Sequence, residues 1–152
     1  MASEHQGVVS ITIRTATMDD AAALAELSAQ LGYPATADDT VRRMARIRAN
    51  AENVVFVATL PDGSVIGWLH MYLCCLVESD LYAEIGGLVV DQKHRGSGAG
   101  NLLVKHAEEW ARGRNCNTVS VRSNVTREGA HAFYRRLGYK IVKTQYAFRK
   151  IL

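Results

Sequence analysis

The sequence predicts a single mixed α/β domain, in which helices cover one mixed β-sheet. The chain has 152 residues, a length typical of one domain. Hydrophobic residues make up 48% of it, which excludes a disordered chain, because disorder requires low hydrophobicity and high net charge. Strand and helix patterns follow one another in the order β-α-α-β-β-β-α-β-α-β, with room for one further strand. We assign residues 9–152 to the domain and expect residues 1–8 to form a flexible N-terminus.

The N-terminal third begins with a strand and continues with two helices. Residues 10–14 (SITIR) alternate and are β-branched, as strand residues often are. Thr17, followed by two aspartates, predicts a helix over residues 18–30, because threonine can cap the free amides and carboxylates favour the positive end of the helix dipole. Thr36 gives the same signal for a helix over residues 38–51.

The middle of the chain contains three consecutive strand patterns. They are predicted over residues 54–60, 65–75 and 82–90. A Pro-Asp-Gly-Ser sequence between the first two predicts a tight turn. A short acidic loop with Glu78 and Asp80 precedes the third strand.

A glycine-rich turn, residues 95–100, follows these strands and leads directly into a helix. The pattern predicts this helix over residues 98–112, a short strand over 118–122 and another helix over 127–137. We expect residues 139–152 to form one extended segment or a tight hairpin.

The overall charge is mildly positive, with a formal net charge of +3. This charge fits an anionic ligand, but it is too small and too evenly spread to indicate a nucleic-acid-binding protein. The most apolar stretch, residues 68–77, is too short to span a bilayer, and the first seven residues lack the features of a signal peptide. We therefore expect a soluble, cytoplasmic protein that binds neither nucleic acid nor membrane.

The cysteines indicate neither a disulfide framework nor a metal site. The chain has three of them, and Cys74 and Cys75 are sequence neighbours, which is a poor geometry for a disulfide. No Cys-x-x-Cys or His-x-x-x-His pair offers metal ligands, and Cys116 lacks the local signature of a nucleophile. We expect free thiols in a reducing compartment and no bound metal.

The most informative segment is Arg95-Gly-Ser-Gly-Ala-Gly100, between a buried strand and a helix. A helix N-terminus binds anions, because its first amides are unpaired and carry a partial positive charge. The three glycines remove side chains from the turn, so a phosphate can reach the amides, and Arg95 adds positive charge. The alternative is a turn that merely connects the strand to the helix.

The sequence departs from two known nucleotide-binding motifs at specific positions. A Walker A loop requires a lysine directly after its last glycine, and no such lysine is present here. A dinucleotide fingerprint would place its third glycine at Asn101 and an acidic residue at the end of the next strand. Residues 118–122 (TVSVR) contain no acidic residue.

Two segments resemble the GNAT N-acetyltransferase superfamily. Residues 88–100 (LVVDQKHRGSGAG) are similar to its central motif, whose core Gln/Arg-x-x-Gly-x-Gly/Ala is filled here by Arg95, Gly98 and Gly100. Residues 130–139 (AHAFYRRLGY) resemble the family segment Ala-x-x-x-Tyr-x-x-x-Gly-Phe/Tyr. The order of elements also agrees over nearly the whole chain, and two motifs at the right separation are more specific than either alone.

The resemblance implies acetyl-CoA as co-substrate and no metal. In the family, acetyl-CoA lies where strands 4 and 5 splay apart, and its pantetheine arm pairs with the exposed edge of strand 4. Carried over, the backbone of Leu88 and Val90 would hold that arm, and the amides of residues 96–101 would hold the pyrophosphate. Asn124 would also contact the cofactor; the alternative is that it only forms a turn. The implied cofactor-binding residues are Leu88, Val90, Arg95, Gly96, Ser97, Gly98, Gly100, Asn101 and Asn124.

The resemblance also implies two catalytic side chains. Transfer to an amine needs a base for the nucleophile and a proton donor for the departing thiolate. Glu84 interrupts an apolar strand, as in family members that keep a glutamate on strand 4, and is the candidate base. It could instead lie at the solvated strand end or only bind the substrate ammonium. Tyr134 shares a helix face with Ala130 and is the candidate acid, unless it only packs. His70 could point into the cleft, but a strand histidine is more often packed or solvated.

The function implied is acetyl-CoA-dependent N-acetylation of a primary amine by direct attack in a ternary complex. The acceptor is a small molecule or, alternatively, a protein or peptide amine. Two other functions stay open: a CoA-binding sensor without turnover, and a nucleic-acid-binding domain that uses the arginine-rich second helix. Glu84 and Tyr134 together favour an enzyme, because a sensor needs neither of them. A homodimer would be common for the family.

The charge of the second helix gives an expectation about the acceptor. If this helix covers the acceptor site, as in the family, its arginines disfavour a polycation unless Glu78, Asp80 and Glu84 dominate locally. We therefore expect a small neutral or carboxylate-bearing amine. The arginines concerned are Arg42, Arg43, Arg46 and Arg48.

Overall fold

The computed structural model describes residues 9–152, so the expected flexible N-terminus, residues 1–8, lies outside the described residues. The chain divides into two compact units, one extending to Val121 and one from Arg122 to Leu152. The first unit contains a five-stranded sheet and three helices, and the second contains one helix. This is the mixed α/β class that the sequence predicts.

The sheet has the strand order β1-β2-β3-β4-β5. Neighbouring strands from β1 to β4 are antiparallel, whereas β5 is parallel to β4. The bounds of β4 agree with the prediction, and those of the other strands differ from it by one or two residues. The strands are β1 Thr12–Thr15, β2 Asn53–Thr59, β3 Val65–Cys74, β4 Tyr82–Val90 and β5 Val119–Val121.

Four α-helices follow the predicted order, and the first begins with a short 3-10 turn, Met18–Asp20. The cap predicted at Thr36 is present: its Oγ1 accepts the N–H of Asp39 at 3.0 Å, and the Asp39 carboxylate accepts the N–H of Thr36 at 3.3 Å. The helices are α1 Ala21–Gln30, α2 Ala37–Arg48, α3 Ala99–Gly113 and α4 Glu128–Arg136.

The first unit buries apolar side chains on both faces of its sheet. On one face, Val55 and Val57 of β2 form a cluster with Leu24 of α1 and Met44 of α2, against which Trp68 packs. Successive strand residues point to opposite faces, so Phe56 lies on the other face, where its ring contacts His106 of α3 at 4.9 Å between centroids. The helices α1 and α2 thus cover one face, and α3 covers the other. Buried residues of α3 are Ala99, Leu103, Val104, Ala107 and Ala111.

Of the two possibilities predicted for residues 139–152, an extended segment or a hairpin, the hairpin does not form, and neither does a paired final strand. The segment contains no strand, and among the described residues the backbone of 140–152 forms no hydrogen bond. Tyr146 and Phe148 are 92% and 94% exposed. A strand forms only where a neighbour pairs with its backbone groups, and the described chain supplies no such neighbour here. The β-branched and aromatic pattern predicts strand propensity, but it does not supply that partner.

A partly buried ion pair joins β1 to the start of α1. The Asp20 carboxylate accepts two hydrogen bonds from the Arg14 guanidinium, at 2.8 and 2.9 Å, and one from the N–H of Thr17 at 2.8 Å. The hydrogen bonds from Arg14 are the main reason that the pKa of Asp20 lies below its ordinary value. Asp20 therefore links β1 to the start of α1, in addition to interacting favourably with the helix dipole.

Replacing Asp20 with asparagine is expected to lower the free energy of unfolding at pH 7 by about 2 kcal/mol, the scale of hydrogen bonds to a charged group. Because the folded-state pKa is lowered, the contribution of Asp20 is complete above the ordinary aspartate pKa. It is lost as the pH falls towards the folded value. Urea unfolding of both proteins should therefore show a difference at pH 7 that shrinks near pH 3. An equal difference at both pH values would contradict the role given to the charge.

Candidate functional site

The end of β4 has a free edge. β5 pairs with β4 only as far as Ile85, which lies opposite Val121. Beyond Ile85, β4 continues to Val90 with β3 on one side and, among the described residues, no strand on the other. Leu88 and Val90 lie on this half-buried segment, whose outward backbone groups can pair with an extended ligand. This geometry is the predicted separation of strands 4 and 5.

A β-bulge marks the start of the free edge. In the pairing of β3 with β4, His70 lies opposite Gly87 but Met71 lies opposite Ile85, so Gly86 is the additional residue of β4. Gly86 is exposed. The bulge therefore coincides with the point where β5 stops pairing with β4.

The glycine turn after β4 adopts a backbone conformation that favours glycine. Gly96 and Gly98 have φ angles of +80° and +89°, in the left-handed region that other residues rarely occupy. A Cβ built on either residue would meet no atom within 4 Å. The glycines therefore serve a conformational purpose as well as the predicted one of keeping the turn open.

The N-terminus of α3 presents unpaired amides at this turn. The first bond of the helix runs from the N–H of Leu102 to the carbonyl of Gly98 at 3.1 Å, so the amides of residues 99–101 precede the helical ladder. Ser97 Oγ accepts the N–H of Ala99 at 3.4 Å, and the amides of Gly100 and Asn101 have no intrahelical acceptor. Arg95 is exposed beside them. Open space, free amides and a positive charge fit a pyrophosphate.

Side chains from α1 and the turn hold the start of this segment. Gln30 Oε1 accepts the N–H of Gln92 at 2.9 Å, and Asp91 Oδ1 accepts the N–H of Lys93 at 3.1 Å. These bonds link the end of α1 to the residues that lead into the turn. The glycine turn is thus attached to the helix that covers the opposite face of the sheet from α3.

Glu84 lies on β4 and is only 6% exposed, which excludes the solvated strand end considered for it. The Tyr72 hydroxyl of β3 donates a hydrogen bond to Glu84 Oε2. The two residues are direct cross-strand partners, so both side chains point to the face covered by α1 and α2. Glu84 is therefore a buried carboxylate held by a phenol, two residues before the bulge.

Two further polar side chains lie beside Glu84 and Tyr72, and the sequence did not identify their arrangement. His70 Nε2 lies 2.8 Å from Asn53 Oδ1, across the pairing of β2 and β3. The His70 and Tyr72 rings are 5.7 Å apart between centroids. Burial lowers the pKa of His70. The i, i+2 spacing of His70 and Tyr72 was a usable signal, but their position relative to Glu84 depends on the register and bulge.

Tyr134 belongs to the second unit, on α4. Its ring contacts Phe133 at 5.1 Å and Tyr139 at 5.7 Å between centroids. Ala130, Phe133, Tyr134 and Leu137 are half-buried, which confirms the predicted shared face of the helix. Burial is the main cause that raises the pKa of Tyr134, so its phenol stays protonated in the neutral pH range.

A Schellman motif ends α4 directly after Tyr134. The carbonyl of Tyr134 accepts the N–H of Tyr139 at 3.0 Å, and the carbonyl of Arg135 accepts the N–H of Gly138 at 3.0 Å. Gly138 has a φ of +93°, as this motif requires. The Tyr-x-x-x-Gly-Tyr spacing in the sequence thus has a structural cause that is independent of catalysis.

Asn124 begins the second unit's turn into α4. Its Oδ1 accepts the N–H of Thr126 at 3.0 Å and the Thr126 hydroxyl at 2.8 Å. These bonds make an Asx turn, which is the turn-forming alternative considered for this residue. The amide nitrogen of its side chain is not used in these bonds.

The described chain contains neither a cluster of metal ligands nor a membrane-spanning helix. No group of three or more potential metal ligands comes together in residues 9–152. No helix in that range is long and apolar enough to cross a bilayer. Cys74, Cys75 and Cys116 are free thiols.

Comparisons with known proteins agree on one family. Residues 19–139 match the family described as "Acetyltransferase (GNAT) family". Over 142 residues, the chain is 33% identical to an aminoglycoside N(6')-acetyltransferase type 1 of Stenotrophomonas maltophilia, covering 91% of this chain and 92% of the relative. It is 34% identical over 101 residues to an aminoalkylphosphonate N-acetyltransferase of Salmonella typhimurium, covering 66% of this chain and 64% of the relative.

Among solved structures, the fold is similar to that of the aminoglycoside 6'-N-acetyltransferase AAC(6')-Ih from Acinetobacter baumannii. The TM-score is 0.83 at 20% sequence identity, covering 94% of this chain and 99% of that one. At this identity, the likeness is one of fold.

Proposed function

This chain belongs to the GNAT acetyltransferase family and is an N-acetyltransferase, and from that premise we propose that it acetylates the primary amine of a small molecule. Acetyl-CoA, the acetyl donor that the family implies, is attacked directly by the amine within a ternary complex. Residues 9–152 act as one acetyltransferase domain. The reaction takes place in the cytoplasm, where the exposed thiol of Cys75 would stay reduced.

The observation that carries the proposal is the continuous path from the free edge of β4 to the N-terminus of α3. The backbone of Leu88 and Val90 offers hydrogen bonds to an extended pantetheine arm. The turn from Gly96 to Asn101 follows directly and offers its amides to a pyrophosphate, with Arg95 beside it. For Asn124, we propose a cofactor contact on the strength of the family resemblance alone. An extended ligand with a diphosphate at one end matches this sequence of groups.

Two side chains complete the proposed reaction. Glu84 binds the acceptor ammonium and takes up its proton, because a free amine is needed for attack. Tyr134 donates a proton to the departing thiolate, which its protonated phenol can do at neutral pH. The cofactor-binding residues orient the donor rather than take part in proton transfer.

The acceptor we propose is an amine that also carries an anionic group. Of the four arginines on α2, only Arg42 has an acidic partner among the described residues, Asp39 at 3.1 Å. Arg48 lines a cavity of ≈ 140 Å³ together with Asn53, which contacts His70. The carboxylate of Glu84 is already bound by Tyr72. Within α2 itself, the four arginines outnumber the two aspartates of the helix.

An aminoalkylphosphonate or an amino acid is expected to react with a kcat/KM at least tenfold above that of an aminoglycoside. Attraction to the α2 arginines favours the anionic group, and repulsion disfavours the polycation. Thiol release with each amine measures this order, and Arg48→Gln should reduce the preference. The relative named for aminoglycosides provides the competing expectation, and an aminoglycoside with the highest kcat/KM would overturn ours.

We also propose that the protein is a homodimer in which residues 140–152 of one copy pair with the same segment of a second copy. Its strand-forming sequence, its exposed Tyr146 and Phe148 and its unpaired backbone support an isologous contact. The molar mass from light scattering, which should be twice that of the 16.7 kDa chain, tests this pairing. The mass of one chain would overturn it.

A further inference from the structure

The polar residues beside the β4 bulge suggest a second proton-transfer group for the acetylation reaction, and the inference rests on the proposed function. Attack by a free amine leaves the nitrogen of the tetrahedral intermediate with one proton too many. This proton is distinct from the one that an ammonium loses before attack. A carboxylate that binds the ammonium therefore does not account for both protons.

One ring nitrogen of His70 makes a hydrogen bond, and the other has no partner among the described residues. Nε2 lies 2.8 Å from Asn53 Oδ1, and an amide oxygen can only accept a hydrogen bond. Nε2 therefore carries the ring proton, and Nδ1 keeps its lone pair. Nδ1 has no hydrogen-bond partner among the described residues.

The open nitrogen faces the bulge at Gly86. A Cβ built on Gly86 would lie 3.2 Å from His70 Nδ1 and 3.1 Å from Tyr72 Cε1. Gly86 is exposed, and β5 has stopped pairing one residue earlier. The absence of a side chain at Gly86 thus lets the His70 and Tyr72 rings pack against the β4 backbone, and it places Nδ1 at the start of the free edge where the acetyl donor would bind.

We propose that Nδ1 of His70 accepts the proton that the attacking amine loses as the amide forms. The amine nitrogen forms a bond to the carbonyl carbon, and the π electron pair moves to the oxygen. The excess proton passes from nitrogen to Nδ1, the carbonyl re-forms, and the carbon–sulfur bond breaks. The thiolate takes its proton from Tyr134. The imidazolium returns its proton to solvent, and the phenolate recovers one, so that the products are an amide and a free thiol.

The surroundings of His70 suit this role. Its pKa is lowered by burial, so the imidazole is neutral at pH 7 and available as a base. Among the described residues, Tyr72 of β3 lies beside its ring and Glu84 of β4 bonds to Tyr72. Arg48 of α2 lines a cavity with Asn53, the partner of His70. The Glu84 carboxylate, on the same face, would favour the imidazolium as it forms.

The test is the pH dependence of kcat/KM in the full chain, with the variants His70→Gln, His70→Ala and Asn53→Asp. In the wild type, activity should fall as the pH drops below the lowered pKa of His70. His70→Gln should have a kcat/KM at least tenfold lower than the wild type at pH 7, and its kcat/KM should not fall over this pH range. Imidazole added to His70→Ala should restore activity, which a structural role would not produce. In Asn53→Asp, the decrease of kcat/KM should begin at a higher pH, because a carboxylate partner favours the imidazolium.

The possible negative results can be distinguished, because each of them contradicts a different claim. Wild-type protein that acetylates no amine would overturn the proposed function. An active enzyme whose folded His70→Gln variant keeps its rate and its pH profile would overturn the role of His70 alone. Nitrogen-15 NMR of the His70 ring gives a readout that needs no activity. A proton on Nε2 at pH 7 supports the proposal, and a proton on Nδ1 contradicts it.

Discussion

Replacing Gly98 with aspartate is expected to abolish measurable acetyl-CoA binding. The new carboxylate would stand at the free amides of α3, where we propose that the pyrophosphate binds. Two unit charges 4 Å apart repel by about 4 kcal/mol at an effective dielectric constant of 20, which corresponds to nearly three orders of magnitude in Kd. Isothermal titration calorimetry measures this loss.

The matched control is Gly98→Asn. Gly98 has a φ of +89°, so any side chain there costs about 1–2 kcal/mol of strain, whereas a Cβ meets no neighbour within 4 Å. Asparagine and aspartate share the strain and the size and differ in charge. We expect the asparagine variant to bind acetyl-CoA within about tenfold of the wild type. Equal affinity of the two variants would show that no phosphate lies at this turn.

Replacing Tyr134 with phenylalanine is expected to lower kcat by about a hundredfold or more, the usual scale for the loss of a general acid. The substitution removes one oxygen and keeps the ring contacts with Phe133 and Tyr139. Folding and acetyl-CoA affinity should therefore be unchanged. Single-turnover thiol release, in which chemistry limits the rate, measures the effect.

Tyr146→Phe is the control for this substitution. Tyr146 lies in the same unit and is 92% exposed, so losing its hydroxyl should leave kcat unchanged. A wild-type rate in Tyr134→Phe would leave Tyr134 with only its packing contacts and its place in the Schellman motif.

The helices and most strands could be predicted because their signals are local. Thr36 and Asp39 form the capping pair that their spacing predicts, and β4 has the predicted bounds. The segment 139–152 shows the limit of this reasoning. Its residues favour a strand, but strand formation depends on a partner that lies elsewhere, and no partner is present among the described residues.

The candidate site likewise contains some residues that could be predicted from the sequence and others that could not. The glycine turn and Glu84 could be identified because a motif or an unusual residue marks each of them. The arrangement of His70, Tyr72 and Asn53 could not be predicted, because it depends on strand register and on the extra residue at Gly86. A shift of one residue would place His70 on the opposite face of the sheet.

The most direct test of the account is to add acetyl-CoA to the wild-type protein and to follow binding and thiol release together. We expect saturable binding, with a Kd of about 1 µM to 1 mM, and release of CoA thiol only when an acceptor amine is present. Binding without release for any amine would indicate a CoA sensor. The absence of binding at millimolar acetyl-CoA would contradict the proposed site and the reaction assigned to it.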